Sequence, residues 1–192
     1  MAALAAAHAR ALESHFQGAV DVLGISTGGA IALQLAVDSP SVVRRLIVVA
    51  AASWLGESGR QKLRAYAQRV SNGGTGAAVL ASVLAAPAFR WIAAAGIWLT
   101  ARRERAIDPG DMLATIDAEC GFDVTPRLSA ITAQTLVIGG ARDYAFSPEL
   151  FRATAAGIPG AQLILYPRAG HLGTMLHPRF GSDVAAFLAR PL

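Results

Sequence analysis

Three residues able to pass one proton between them stand far apart along the chain: Ser26, Asp143 and His171. Ser26 lies in Gly24-Ile25-Ser26-Thr27-Gly28, which fits the pattern G-x-S-x-G. Alone, that pattern is weak in a chain with 19 glycines. Its context is more telling. The apolar run Val20-Asp21-Val22-Leu23 leads straight into it, and a helical stretch over 29–37 leaves it. This is the strand–turn–helix sequence that presents a serine nucleophile on a sharp elbow. Gly24 and Gly28 then supply the missing side chains where the arms of the turn approach each other. At a helix N-terminus, unpaired N–H groups and the helix dipole favour negative charge developing beside Ser26. The competing reading is a glycine-rich turn with a capping serine.

A serine hydroxyl needs a base to become a nucleophile. Of the four histidines, His8 and His15 fall in an N-terminal helical stretch, and His177, beside Pro178, reads as a cap for the last helix. His171 follows an apolar run in Tyr166-Pro167-Arg168-Ala169-Gly170-His171. The base in turn needs an acid to hold its tautomer and stabilise its charged form. Asp143 follows another apolar run in Gly139-Gly140-Ala141-Arg142-Asp143. Asp123 and Glu57 are rivals, but neither directly follows a strand with a Gly-rich turn. A loop aspartate paired with Arg142 is the alternative reading of Asp143.

The elements that must position these residues are four apolar runs, 19–24, 46–50, 135–139 and 162–166. They are rich in Val, Ile and Leu and do not alternate with polar residues, as expected of parallel strands buried on both faces. Helical stretches fall between them. One begins at Ser147-Pro148, where serine suits the cap and proline the first turn. The last, from about Arg179, sets Phe180, Val184, Phe187 and Leu188 on one face. The pattern predicts an α/β fold with a parallel sheet of about four strands between layers of helices. All three candidate residues then gather at the C-terminal edge of the sheet.

The interval between the second and third strands is too long for one crossover. It carries helical segments near 60–70, 75–84 and 89–105, broken at Gly73-Gly74, Pro87 and Asp108-Pro109-Gly110. Residues 55–109 read as an inserted helical lid, and 111–119 as the crossover helix returning to the sheet. The chain thus divides into 1–54 (helix, elbow and two strands), 55–109 (lid) and 110–192 (the remaining core with the acid and histidine loops). Trp91, Trp98 and Phe89 would line an apolar pocket beneath the lid, with Trp54 near its mouth. Such aromatics serve equally as core.

Composition narrows the function class. The 192 residues are 54% hydrophobic and 16% charged, fit for a folded core. The net charge is +4, but the basic residues are scattered apart from Arg44-Arg45 and Arg102-Arg103-Glu104-Arg105, both of which read as solvated faces. A nucleic-acid surface would need a longer basic stripe with interleaved aromatics. The single cysteine, Cys120, reads as a packing residue and allows neither an internal disulfide nor a cysteine-built zinc site. Pro87 and Arg90 interrupt the most apolar stretch, 77–100, arguing against a membrane span. The start lacks the basic region of a signal peptide, so a cytoplasmic location is expected. The Gly-rich turn has neither the lysine of a phosphate loop nor dinucleotide spacing, and no cofactor or metal is expected.

On these residues the sequence resembles the α/β-hydrolase superfamily, particularly esterase-like members with a helical lid. The pieces that carry the resemblance are Val22 to Gly29, Thr135 to Asp143 and Tyr166 to His171, in the order nucleophile, acid, histidine. The resemblance implies a three-layer hydrolase core. It makes Ser26 the nucleophile, His171 the general base and then acid, Asp143 its orienting partner, and the Thr27 backbone N–H a donor to the oxyanion. The substrate would be a small acyl compound, an ester or similar, cleaved through an acyl-enzyme.

Members of this superfamily usually carry several strands ahead of the elbow, and a loop there gives a second oxyanion N–H. Only about eighteen residues precede the first strand here. The expectation is therefore a C-terminal part of such a fold, begun at an internal Met. Its elbow strand would lie at an open edge prone to self-association, and its activity alone would be weak. Two further readings are an inactive fragment or interaction module, and a perhydrolase or carbon–carbon bond hydrolase on the same triad.

Overall fold

The computed structural model describes residues 1–85, 87–103 and 109–191, with the side chains of Arg102 and Arg103 left aside. Residues 104–108, which include part of the basic cluster and Asp108 of the expected break, lie outside the described residues.

Four strands, β1 (Val20–Ile25), β2 (Val43–Val49), β3 (Gln134–Gly140) and β4 (Gln162–Tyr166), form one parallel sheet in the order β1-β2-β3-β4. The register aligns Val22 with Leu46 and Thr135, and Ile25 with Val49 and Ile138, so the strands end together. Alternate residues of β2 and β3 enter two separate cores. Leu46, Val48 and Val137 pack with helices α1 (Ala2–His15), α2 (Thr27–Asp38) and α7 (Pro148–Gly157). Ile47, Val49, Leu136 and Ile138 pack on the other face with Phe187 of α9 (Phe180–Leu188), and Phe180, Val184 and Leu188 join them. Both faces are apolar because both are covered, which is why these strands do not alternate in sequence. The strand β1 differs. It lies at the edge of the sheet, and Leu23 is 42% exposed, so the expectation of burial on both faces fails there.

Ser147 stands at the cap position of α7 and Pro148 in its first turn, but the Ser147 hydroxyl bonds none of the free N–H groups of the helix. Arg45 departs from the expected solvated face: it is buried, pairs with Asp21 of β1 and donates to the Arg190 carbonyl.

Between β2 and β3 run α3 (Glu57–Ser71), α4 (Ala77–Leu84), α5 (Arg90–Arg103) and α6 (Gly110–Cys120). Here α4 packs on α3 and α5, and α6 packs chiefly on α3. The sequence reading made α6 a crossover helix of the sheet. Instead it joins the helices above the strand ends, and a short turn of tighter helix, Thr125–Ala130, leads back into β3. One helix, α8 (His171–Met175), starts at the end of the loop after β4.

Candidate active site

Ser26 occupies a left-handed backbone position, φ 53° and ψ −123°, between β1 and α2. Non-glycine residues rarely adopt positive φ, and strain of this kind needs surrounding structure to hold it. The Ser26 N–H donates to the Val49 carbonyl at 2.9 Å, and the Ser26 carbonyl accepts from Gly29 N–H at 2.8 Å. A Cβ on Gly24 would collide with the Gly28 carbonyl and lie 2.8 Å from the Ala32 methyl. A Cβ on Gly28 would meet nothing within 4 Å, so the expected steric role of Gly28 is corrected. The tight neighbour is Gly29, whose Cβ would press 2.5 Å from that of Ala51 and 3.3 Å from the Gly24 carbonyl. The N–H groups of Thr27 and Gly28, in the first turn of α2, have no acceptor within the helix.

The acid and histidine loops are laced together by their backbones. Ala141 N–H donates to the Tyr166 carbonyl at 3.0 Å and Arg142 N–H to the Ala169 carbonyl at 2.9 Å. Asp143 is fully buried at its side chain. Its Oδ1 accepts from the N–H groups of Ala145 at 2.7 Å and Phe146 at 3.1 Å, not from Arg142. Its Oδ2 lies 2.9 Å from His171 Nδ1, and His171 Nε2 lies 2.9 Å from Ser26 Oγ. An acceptor-only carboxylate makes Nδ1 the protonated nitrogen, which leaves Nε2 free to accept the Ser26 proton. The ring is 2% exposed, and Phe146 stacks beside it at 6.1 Å. The structure thus brings Ser26, His171 and Asp143 into one hydrogen-bonded line, a geometry able to raise the nucleophilicity of a hydroxyl.

The rival residues lie elsewhere. His8 and His15 are exposed on α1, and Glu57 is exposed on α3. Asp123 accepts from Thr125 N–H. His177 stacks face to face on Tyr166 at 3.8 Å and accepts from Arg179 N–H at the start of α9. Burial and the Asp183 carboxylate push the Tyr166 phenol up to about 12.

Ser26 and His171 open into a cavity of about 410 Å³. Its walls are Leu63 of α3, Leu80 and Val83 of α4, Ile116 of α6, and Phe146. None of the tryptophans expected there lines it. Trp91 is 71% exposed and Trp98 45% exposed on α5, while Trp54 bridges to Asp123 with the Arg60 guanidinium over its ring. Phe89 lines a separate surface groove between α5 and α8. Along α5, Trp91, Ile92, Trp98 and Leu99 are exposed, while Ala93, Ala94 and Ile97 are half-buried.

A family model described as "Alpha/beta hydrolase family" matches residues 1–184. The chain belongs to the alpha/beta hydrolase family. Two curated relatives named "Putative carbamate hydrolase RutD" resemble this chain. The one from Klebsiella pneumoniae is 31% identical over 154 residues, covering 78% of this chain and 58% of its own. The one from Variovorax paradoxus is 30% identical over 187 residues, covering 88% and 65%. The chain therefore spans about three fifths of the length of these relatives. Among solved structures, an alpha/beta hydrolase enzyme from a Medee basin deep-sea metagenome library superposes with a TM-score of 0.82. It is 21% identical and covers 98% of this chain and 71% of its own. A hydrolase from Pseudomonas aeruginosa gives 0.77 at 24% identity, covering 97% and 71%. These likenesses establish the fold. No helix among the described residues is long and apolar enough to cross a membrane.

One site residue escaped the sequence reading. Glu119 of α6 is buried, lines the cavity and accepts a hydrogen bond from the Thr27 hydroxyl at 3.0 Å. Burial pushes its carboxyl up, against the pull of the Thr27 hydroxyl and the His171 ring. The available signal was its place on the apolar stripe Met112–Ile116–Glu119, where a hydrophobic residue would be expected. The only lysine, Lys62 of α3, donates to the Tyr144 carbonyl at 2.7 Å in the acid loop, and burial followed by the Arg90 charge pushes it down. Burial pushes the Cys120 thiol up, as suits a packing cysteine and not a nucleophile.

Proposed function

We propose that this hydrolase cleaves a carboxylic ester or similar acyl substrate through an acyl-enzyme on Ser26. The observation that carries the reading is the continuous line from Asp143 Oδ2 through His171 to Ser26 Oγ, both links at 2.9 Å, on a strained elbow. Ser26 Oγ attacks the acyl carbon while its proton passes to His171 Nε2. Asp143 holds the imidazolium so formed. The oxyanion accepts from the Thr27 N–H, and one such donor is worth about 10²–10³ in rate. Collapse breaks the bond to the leaving group, which takes the proton from Nε2. Water then repeats the cycle: His171 takes its proton, hydroxide attacks the acyl carbon, and Ser26 departs with its proton restored.

The cavity supports a lid role for residues 55–109, since α3 and α4 supply apolar walls beside Ser26. A carbamate presents the same carbonyl to the same groups, and the likeness to relatives named as putative carbamate hydrolases is a reason to include carbamates in the test. The test is turnover of short-chain nitrophenyl esters and carbamates, paired with mass-spectrometric labelling by a fluorophosphonate. The expected result is one label on Ser26, lost with turnover in Ser26→Ala. Labelling elsewhere, or turnover surviving Ser26→Ala, would remove the reading.

A further inference from the structure

Glu119, a residue only 7% exposed, brings a carboxyl to the cavity wall. Leu63, Leu80, Val83, Ile116 and Phe146 make part of that wall apolar, and Ser26, Thr27, Asp111, Thr115 and His171 make part of it polar. None of the ion pairs formed among the described residues includes it. A carboxylate buried without a cation is costly. The hydrogen bond from the Thr27 hydroxyl does not account for it, because the neutral amide oxygen of glutamine would accept that bond equally well.

Its position sharpens the point. Thr27 directly follows Ser26, and the carboxyl is one hydroxyl removed from the first turn of α2, where the oxyanion of an acyl transfer would be held. An ionised carboxyl there opposes that negative charge, and in a low-dielectric cavity the repulsion is strong. A substrate that brings its own N–H donor, amine or amide, to the carboxyl removes the conflict. It supplies the missing partner and leaves a near-neutral pair beside the reacting carbonyl.

Resting on Ser26 as the nucleophile, we infer that Glu119 selects acyl substrates that carry an N–H group within a few bonds of the scissile carbonyl, the apolar walls taking the remainder. A site built to receive a hydrogen bond rejects the analogue lacking it, because its own buried group is then left unpaired. A charge-assisted bond of this kind corresponds to roughly tenfold to a hundredfold in kcat/KM.

The test compares two isosteric pairs. Nitrophenyl β-alaninate against nitrophenyl butyrate exchanges an ammonium for a methyl, and nitrophenyl N-acetylglycinate against nitrophenyl levulinate exchanges a neutral N–H for a CH₂. The quantity read is the ratio of kcat/KM within each pair, in the wild type, Glu119→Gln and Glu119→Leu. Intrinsic reactivity, and any general loss from disturbing Thr27, cancels in that ratio. A fall of tenfold or more in Glu119→Leu is expected in at least one pair, and the pair that falls tells cation from neutral donor. Ratios unchanged across all three proteins would overturn the proposal while leaving Ser26 untouched. Calorimetry on Ser26→Ala gives a reading that needs no turnover: methyl β-alaninate or methyl N-acetylglycinate should bind at least tenfold tighter than methyl butyrate or methyl levulinate, its respective isostere, and lose that advantage when Glu119→Leu is added. Equal affinities within both pairs would overturn the proposal whether or not Ser26 reacts.

Discussion

The strand ends that carry Ser26, Asp143 and His171 and the helices that wall the cavity above them are held by different means. At the strand ends the backbone does the holding: Ser26 N–H on Val49, Ala141 N–H on Tyr166, Arg142 N–H on Ala169, and two N–H groups on Asp143 Oδ1. The helices from α3 to α6 put apolar side chains on the cavity wall, and the ties they make to the strand ends run through side chains, Lys62 on the Tyr144 carbonyl and Glu119 on the Thr27 hydroxyl. Backbone hydrogen bonds and close-packed glycines permit few substitutions, whereas apolar helix faces tolerate many. Chemistry should therefore be brittle at the strand ends, and substrate choice adjustable in the helices.

The largest expected effect breaks the first region alone. Asp143→Asn keeps the size of the side chain but offers His171 Nδ1 a weaker, neutral acceptor or the wrong tautomer. Turnover should fall by about 10⁴ with KM little changed, as for the loss of an orienting carboxylate. Initial-rate kinetics decide it, and a fall of less than tenfold would mean that His171 is not held by Asp143 during turnover.

The elbow glycines offer a contrast between neighbours. Gly24→Ala drives a methyl into the Gly28 carbonyl and the Ala32 methyl and should cost about 3 kcal/mol of stability. Gly28→Ala points into open space and should cost under ~0.5 kcal/mol. Urea melts of the two variants check this, and equal losses would contradict the described packing.

How much of this was legible in the sequence follows the same division. The line of Ser26, His171 and Asp143 was readable because each follows a strand, and parallel strands gather their ends at one edge. The choice between Gly28 and Gly29 was not. The pattern counts the second residue after serine, but contact depends on the phase of α2 against β2, which puts Gly29 against Ala51. The burial of β1 was misread because apolar sequence cannot report whether a helix covers each face. The tryptophans were misassigned for a similar reason: spacing places Trp91 and Trp98 on α5 but does not say which side of α5 meets the cavity. Glu119 stayed hidden because a glutamate on a helix ordinarily marks the solvated face.

A paired substitution in the helices sharpens the comparison. Leu63→Ala opens the cavity wall and should raise KM for apolar esters about tenfold, within the range of small changes to an apolar pocket, with kcat retained. Trp91→Ala, at an exposed position outside the cavity, should leave KM within about twofold. A larger effect at Trp91 than at Leu63 would show that the described cavity is not the one the acyl group uses.

The mildest expected effect lies where the two regions meet, at Glu119 on Thr27, and its sign is what matters. Burial raises the Glu119 carboxyl, so the folded chain favours the protonated form more than the unfolded chain does. Its contribution to stability is then complete below the ordinary carboxylate range and is lost as pH rises through the raised value. Glutamine keeps an acceptor for the Thr27 hydroxyl but cannot ionise. The melting temperature of Glu119→Gln should therefore match the wild type near pH 4 and exceed it increasingly towards pH 8. Among the described residues, the charged or titratable groups that share the cavity wall with Glu119 are His171, which attracts its ionised form, Asp111 and Tyr66. The Cys120 thiol, raised by burial, stays neutral over this range. The difference should persist in a His171→Ala background, because burial is the leading cause. A melting difference independent of pH would mean that Glu119 is not desolvated in the folded chain.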